Sequence, residues 1–353
     1  MKTTALFNFI QEREAIHRRR AAGQPAPWTD NPILDEWSFT NVRREHDRVT
    51  RWVALNWREP HANDPELWFA MIVAVFVNWP STLAEIGYPV PWRPEYFLAV
   101  MRGRAARGHQ LYGPAYMIHA DRHYATTAEY QVAKVFNPLW CDREQLRPIP
   151  GERLAQYFDR LSARHGFGGG FMPGQVIAYL KYVPPLCEAS DWMDFVVSGP
   201  GSRRGLNRVL GHPVQIKWIE PEWRSAFNRL RSAIASDLAA IGLGDLHAQD
   251  FQNCLCEFDK YERVRLGEGK PRRYFQPTLP TLLENTGAQQ PQARDHEKVV
   301  SGHSMQAVIK RHNLEPDDEG NYRITDEMVD EAEALDKEGG VTEKRLRFIT
   351  STH

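Results

Sequence analysis

The stretch Asp64-Pro65-Glu66-Leu67-Trp68-Phe69-Ala70-Met71-Ile72-Val73-Ala74-Val75-Phe76-Val77-Asn78 decides the class of fold. Asp64 is a good helix N-cap, and Pro65 suits the first helical position because the N–H it lacks would have no intrahelical partner there. From Leu67 to Val77 the chain is apolar on every side. A helix of that kind has no face to offer water and belongs at the centre of a helical body. The run breaks at Asn78 and is too short to cross a hydrocarbon layer of about 30 Å. Working outward, helix signals dominate. Ala5–Arg20 ends in a basic turn, Arg18-Arg19-Arg20, closed by Gly23 and Pro25. Pro94 opens a helix through Met101, and Thr126-x-x-Glu129 has capping-box spacing ahead of Tyr130–Phe136. Further helices are expected over 152–164, 171–182, 191–197, 202–210, 221–241 and 248–263. Only Val214, Ile216 and Trp218 alternate as a strand would. The sequence therefore predicts a mainly α body.

At 353 residues, 42% of them hydrophobic and 25% charged, the chain can bury a sizeable core and is not a disordered polymer. From Glu284 onward there are 15 acidic and 9 basic residues, against 30 and 35 before it. A mildly basic body with an acidic tail permits a polyanionic partner without demanding one. The expected organisation is a helical domain over 1–283, a linker over 284–300 containing Asn-Thr-Gly-Ala-Gln-Gln-Pro-Gln, and a small acidic appendage over 301–353, with helices at 305–312 and 325–337. Cys141, Cys187, Cys254 and Cys256 form neither a CxxC pair nor a zinc spacing, and no charged-then-apolar leader opens the chain, so a reducing cytoplasm is expected.

Several motifs could carry chemistry. No GxxxxGK[ST] occurs, and Gly267-Glu268-Gly269-Lys270 is too short to serve as one, which argues against a P-loop kinase or helicase. The glycine turn His165–Met172, with Gly166 and Gly168, exposes backbone N–H groups before a helix and suits a DNA phosphate, or it is simply a turn. Asp191-Trp192 comes after it: a carboxylate that could act as a base, beside a ring that could stack on a flipped base, or else an N-cap. Gly199-Pro200-Gly201-Ser202-Arg203-Arg204-Gly205 puts two arginines in the first turn of a helix. That opposes the helix dipole unless an anion sits there. On the next helix Asn253, Glu257, Lys260 and Tyr261 share a face that could line a pocket, although Glu257 and Lys260 could equally form a plain ion pair. Near the N-terminus, Arg43, Arg44, Arg48 and Arg51 interleave with aromatics in a manner that fits nucleic acid. Cys256 or Cys187 could in principle add to a pyrimidine ring, although free cysteines are more often simply buried.

The glycine turn followed by Asp191 resembles the helix-hairpin-helix DNA glycosylases. The Pro27-Trp28-Thr29-Asp30 and Asn41-to-Trp52 segments, with the Gly-Pro-Gly-Ser turn and Cys256-Glu257-x-x-Lys260-Tyr261, are similar to phage thymidine-hypermodification proteins, the α-glutamyl/putrescinyl thymine pyrophosphorylases or amino acid:DNA transferases. That resemblance spans about 5–275. It implies a helix-hairpin-helix glycosylase-like body encoded by a phage and acting in the bacterial host cytoplasm. The implied reaction replaces the phosphate or pyrophosphate of 5-hydroxymethyluracil, phosphorylated in DNA by a separate kinase, with an amine. The partners would be double-stranded DNA carrying that base and a small amine or amino-acid donor, with no membrane. No cofactor is implied beyond an optional divalent metal at the leaving group, and no metal ligands are assigned. In this reading Asp191, Glu257 and Lys260 are catalytic. Gly166, Gly168, Gly199, Gly201, Ser202, Arg203, Arg204, Arg43 and Arg44 hold DNA or phosphate, and Trp192 stacks on the base. The alternatives are a glycosylase on a modified thymine and a non-catalytic DNA-binding module.

Overall fold

A computed structural model describes residues 3–113, 123–167, 170–271 and 297–312, together with Asp121, Phe275, Met328, 331–332, 334–335 and 345–349. The chain divides into two units, Met1–Gly287 and Ala288–His353. The described part of the first is helical: α1 (Thr3–Ala21), α2 (Pro32–Glu36), α3 (Arg48–Val53), α4 (Leu67–Val77), α5 (Pro80–Ile86), α6 (Pro94–Ala106), α7 (Thr127–Gln131), α8 (Asn137–Cys141), α9 (Arg143–Leu146), α10 (Leu154–Ser162), α11 (Phe171–Leu180), α12 (Pro200–Leu210), α13 (Glu220–Ala233), α14 (Ala235–Ala240) and α15 (Ala248–Arg265).

Every residue of α4 is buried, as its uniformly apolar sequence requires. Asp64 prepares its start by accepting the Glu66 N–H at 2.8 Å, and Asn78 stops it in the left-handed region at φ 49°. Phe69 and Phe76 of this helix meet Trp92, Phe136 and Phe167 edge-on around it, and α11 packs alongside. The Thr126–Glu129 capping box forms as expected.

A second core joins Leu6, Phe9 and Ile10 of α1 to Leu206 and Val209 of α12, Trp223 and Phe227 of α13, and Phe251, Leu255 and Phe258 of α15. Its centre is the seam between α12 and α15. A Cβ on Gly201 would lie 2.3 Å from Cys256 Sγ, and one on Gly205 would lie 2.1 Å from the carbonyl oxygen of Leu255. These glycines, four apart on one face, let the two backbones touch.

Three local expectations fail for identifiable reasons. Residues 214–218 form no strand, because the Asn207 amide donates to the carbonyls of Val214 and Ile216 that a neighbouring strand would have used. Residues 191–197 form a turn over 191–194 and no helix, since the Asp191 side chain is committed to the start of α10. The helix expected over 221–241 is interrupted at Ile234, whose side chain is buried in the second core.

In the second unit, β1 (Glu297–Ser301) pairs antiparallel with β2 (Arg345–Ile349), with Glu297 opposite Ile349 and Ser301 opposite Arg345. Helix α16 (Gly302–Arg311) lies between them in sequence, and Val308 packs with Ala332. The end of the expected linker is thus a strand, with β-branched Val299-Val300 at its centre. Residues 284–296 and most of 325–337 lie outside the described residues.

The seam makes a two-sided prediction. Gly205→Ala forces a methyl against backbone that cannot yield and should lower stability by about 2–4 kcal/mol. Gly103→Ala in α6 meets only the end of the Arg107 side chain at 3.4 Å and should raise stability by about 0.5–1 kcal/mol. Denaturant melts of both variants check the pair, and equal effects would remove the packing role of Gly205.

Candidate functional site

A narrow cleft opens where the first turn of α11 meets the first turns of α15. Phe171, Gly174 and Gln175 line it on one side and Gln249 and Gln252 on the other, with Val197 and Arg44 closing it. Its void is small, about 10 Å³, room for one water-sized group. The Gln249 amide nitrogen donates to the Gly174 carbonyl at 3.0 Å, while its oxygen is buried and has no partner among the described residues. That leaves an acceptor waiting for a donor, a costly state for a buried amide. Gly199 adjoins the cleft: a Cβ there would sit 3.3 Å from the Phe171 ring and 3.6 Å from the Gln252 amide nitrogen.

A buried polar network stands behind this cleft. The backbone N–H of Arg44 donates to Asp250 Oδ1 at 3.1 Å. Asp250 donates its own N–H to Nδ1 of His247, the N-cap of α15, at 3.2 Å. The neutral ring therefore carries its proton on Nε2, which faces the Tyr182 hydroxyl at 2.9 Å and Asp250 Oδ2 at 3.1 Å. Burial pushes Asp250 up to about 6 and pulls His247 down to about 3, the latter helped by the charge of Lys181. Lys181, fully buried, is pulled down to about 7 by the same desolvation. Its Nζ donates to the Trp192 carbonyl at 2.7 Å and lies 3.8 Å from the centre of the Trp192 ring.

The residues singled out from the sequence are partly brought together here. Arg44 lines the cleft, and the two glycine turns reach it through Phe171 and Gly199. Gly166 takes φ +89° beside Val135, while Gly168 lies outside the described residues. Gly201 serves the helix seam. The Ser202 hydroxyl is turned back on the Gly199 N–H at 2.9 Å, so the turn caps itself. The anion that Arg203 meets is the protein's own Glu220, which also accepts from the Ser198 N–H and hydroxyl. Arg204 is held by Asp259, and Arg43 by Asp245 at 2.5 Å.

Asp191 accepts the N–H groups of Leu154 and Ala155 at 2.8 and 3.0 Å, capping α10 rather than a helix of its own. Trp192 is gripped by Lys181, Tyr182 and His247. Glu257 and Lys260 pair at 2.5 Å, and Glu257 also accepts the Thr40 N–H at 3.0 Å. Together with buried Arg13, which donates to the carbonyls of Phe39 and Thr40, they anchor the segment leading to Arg43 and Arg44. Burial pushes the Cys256 thiol up to about 12, which leaves it a poor nucleophile. Among the described residues no three His, Cys, Asp or Glu side chains gather as a metal site, and no helix is long and apolar enough to cross a membrane.

The model of one protein family, described as "5-hmdU DNA kinase, helical domain", matches residues 2–271. The chain belongs to that family. A 5-hmdU DNA kinase of Bacillus phage SP10 is 30% identical over 124 residues, which is 32% of this chain and 19% of that protein. The chain therefore spans well under two thirds of the length of this kinase relative. No solved structure matches.

These findings overturn the transferase resemblance. The helical-domain family is named for a DNA kinase, so neither amine transfer nor an amine donor is retained, and the glycosylase alternative goes with them. Nor does the missing P-loop count against a kinase, because this family is recognised by a helical domain and not by a nucleotide-binding motif. Arg13, Gln249, Asp250 and Lys181 escaped the sequence reading. The only local hint was His247 three residues before Asp250, the spacing of an N-cap and its first turn.

A buried lysine with a lowered pKa gives the site a pH signature. The unfolded chain charges Lys181 below its ordinary 10.5, whereas the folded chain resists until about 7. Its contribution to stability is complete above 10.5 and is lost as pH falls through that window. Lys181→Met keeps the buried stem, so its melting temperature relative to the parent should be higher at pH 7 than at pH 10. An unchanged difference at the two values would contradict the burial argument.

Proposed function

We propose that this chain serves the phosphorylation of 5-hydroxymethyl-2′-deoxyuridine in phage DNA, as the helical part that holds the DNA and presents the base. The observation that carries the reading is the family match across 2–271. The 5-hydroxymethyl group is a primary alcohol, and a kinase must place its oxygen in line with the terminal phosphorus of a nucleoside triphosphate. The part of that reaction assigned to this chain is the DNA side, the holding of the strand and the placing of the alcohol.

The cleft supports the division of labour. A base taken out of the stack is read along its Watson–Crick edge by buried amides. The oxygen of Gln249, without a partner among the described residues, accepts the N3–H of uracil, the position at which cytosine carries an acceptor instead. Phe171 supplies an apolar face and must swing aside for a ring to enter so narrow a space. Arg44, which lines the cleft, is the DNA contact of this reading, and α10, the glycine turn and α11 are its helix-hairpin-helix-like element.

Fluorescence anisotropy with duplexes differing only in one 5-hydroxymethyluracil, thymine or cytosine should rank 5-hydroxymethyluracil first and cytosine last. Gln249→Leu should cut the preference over cytosine about tenfold, the worth of one lost hydrogen bond to a buried group. Transfer of label from γ-³²P-ATP to the 5-hydroxymethyluracil duplex in the presence of the chain checks the reaction. Binding blind to the base together with no labelled DNA would end the proposal.

A further inference from the structure

We propose that Arg204, Arg208 and Arg263 form a phosphate-oxyanion site on the outer edge of the α12–α15 seam, held open by the buried carboxylate of Asp259. Asp259 is fully buried, yet three guanidinium groups converge on it. Arg204 Nε lies 2.8 Å from Oδ2, Arg208 Nε 2.8 Å from Oδ1, and Arg263 Nε 3.6 Å from Oδ2. All three approach through Nε, the inner nitrogen of the group. One carboxylate thus fixes Arg204 and Arg208 by hydrogen bonds at their stems, draws Arg263 in by charge, and does not consume the terminal nitrogens that grip phosphate in pairs.

The three arginines are not equivalent. Arg208 is buried and spends a terminal nitrogen on Glu268 at 2.5 Å. Arg204 and Arg263 remain 40% and 35% exposed, and their terminal nitrogens make no hydrogen bond among the described residues. Arg263 Nε is itself buried without a hydrogen-bond partner. With three cations against Asp259 and Glu268, the cluster keeps a net positive charge. The cluster is also rigid, because Gly201 and Gly205 pin α12 to α15 and so set the spacing between Arg204 and Arg263. Preorganised, partly exposed guanidinium pairs bind a phosphate with little ordering cost.

The phosphate could come from a DNA backbone or from a nucleoside triphosphate, and the test separates the two. The double variant Arg204→Gln/Arg263→Gln leaves Arg208 to satisfy Asp259, so the fold should survive, as a thermal melt verifies. Its binding is compared with that of the parent to an unmodified thymidine duplex over a range of salt concentrations, and to ATP by calorimetry. The duplex carries no 5-hydroxymethyluracil, so the outcome does not depend on the base-reading proposal. A DNA-backbone site loses affinity on the order of tenfold at low salt, and the slope of log K against log salt falls by about 1. A triphosphate site loses ATP binding while DNA binding holds. Unchanged binding of both ligands overturns the proposal. So does an equal loss on Arg229→Gln, which removes an exposed charge of α13 that pairs with Ser225 and not with Asp259.

Discussion

The close approach of α12 to α15 is the constraint on which the rest of the first unit depends. Two helices normally meet through side chains at roughly 8–10 Å between axes. Here Gly201 and Gly205 remove those side chains, and helix rests on helix. The contact fixes where the Gly199 turn falls against Phe171, and it lines up the arginines of α12 with Asp259 and Arg263 of α15. It also places the first turn of α15 beside α11, where the Gln249 amide reaches the Gly174 carbonyl. Cleft and arginine cluster are two results of one backbone contact.

The fold was legible where local signals agreed with burial. Leu67–Val77 could only be a central helix, the Thr126 start rests on a capping box and the Pro94 start on proline at the first helical position, signals that act within one turn. Expectations failed where a distant group decided the local structure. Nothing near Val214 announces that Asn207 will take the carbonyls of this stretch, and nothing near Asp191 announces that it will cap a helix whose first residue is Leu154. Such side-chain-to-backbone hydrogen bonds, spanning 7 to 37 residues, override propensity and leave no trace in periodicity.

The site was legible only in outline. Glycine turns and arginines stood out in the sequence, and the structure gathers Phe171, Gly199 and Arg44. Their spacing could not say which glycines free backbone amides and which allow helices to touch, because both uses need only a missing Cβ. Gln249 was invisible because glutamine is common on helices, and its meaning lies in a buried oxygen without a partner among the described residues. The resemblance led to a transferase acting on phosphorylated 5-hydroxymethyluracil. The family lies instead with the kinase whose product such a transferase would use.

The hydrogen bond from the Arg44 backbone to Asp250 joins residues 206 apart in the chain. Closing a loop of that length carries a large entropic cost that must be met before the contact returns anything. Contacts of such separation are expected to form later in folding than the locally connected helices around α4. A chain emerging from the ribosome reaches Asp250 only when most of the first unit has already been made. Until then Arg44 has no Asp250 to hold its backbone, and the cleft it lines is unformed.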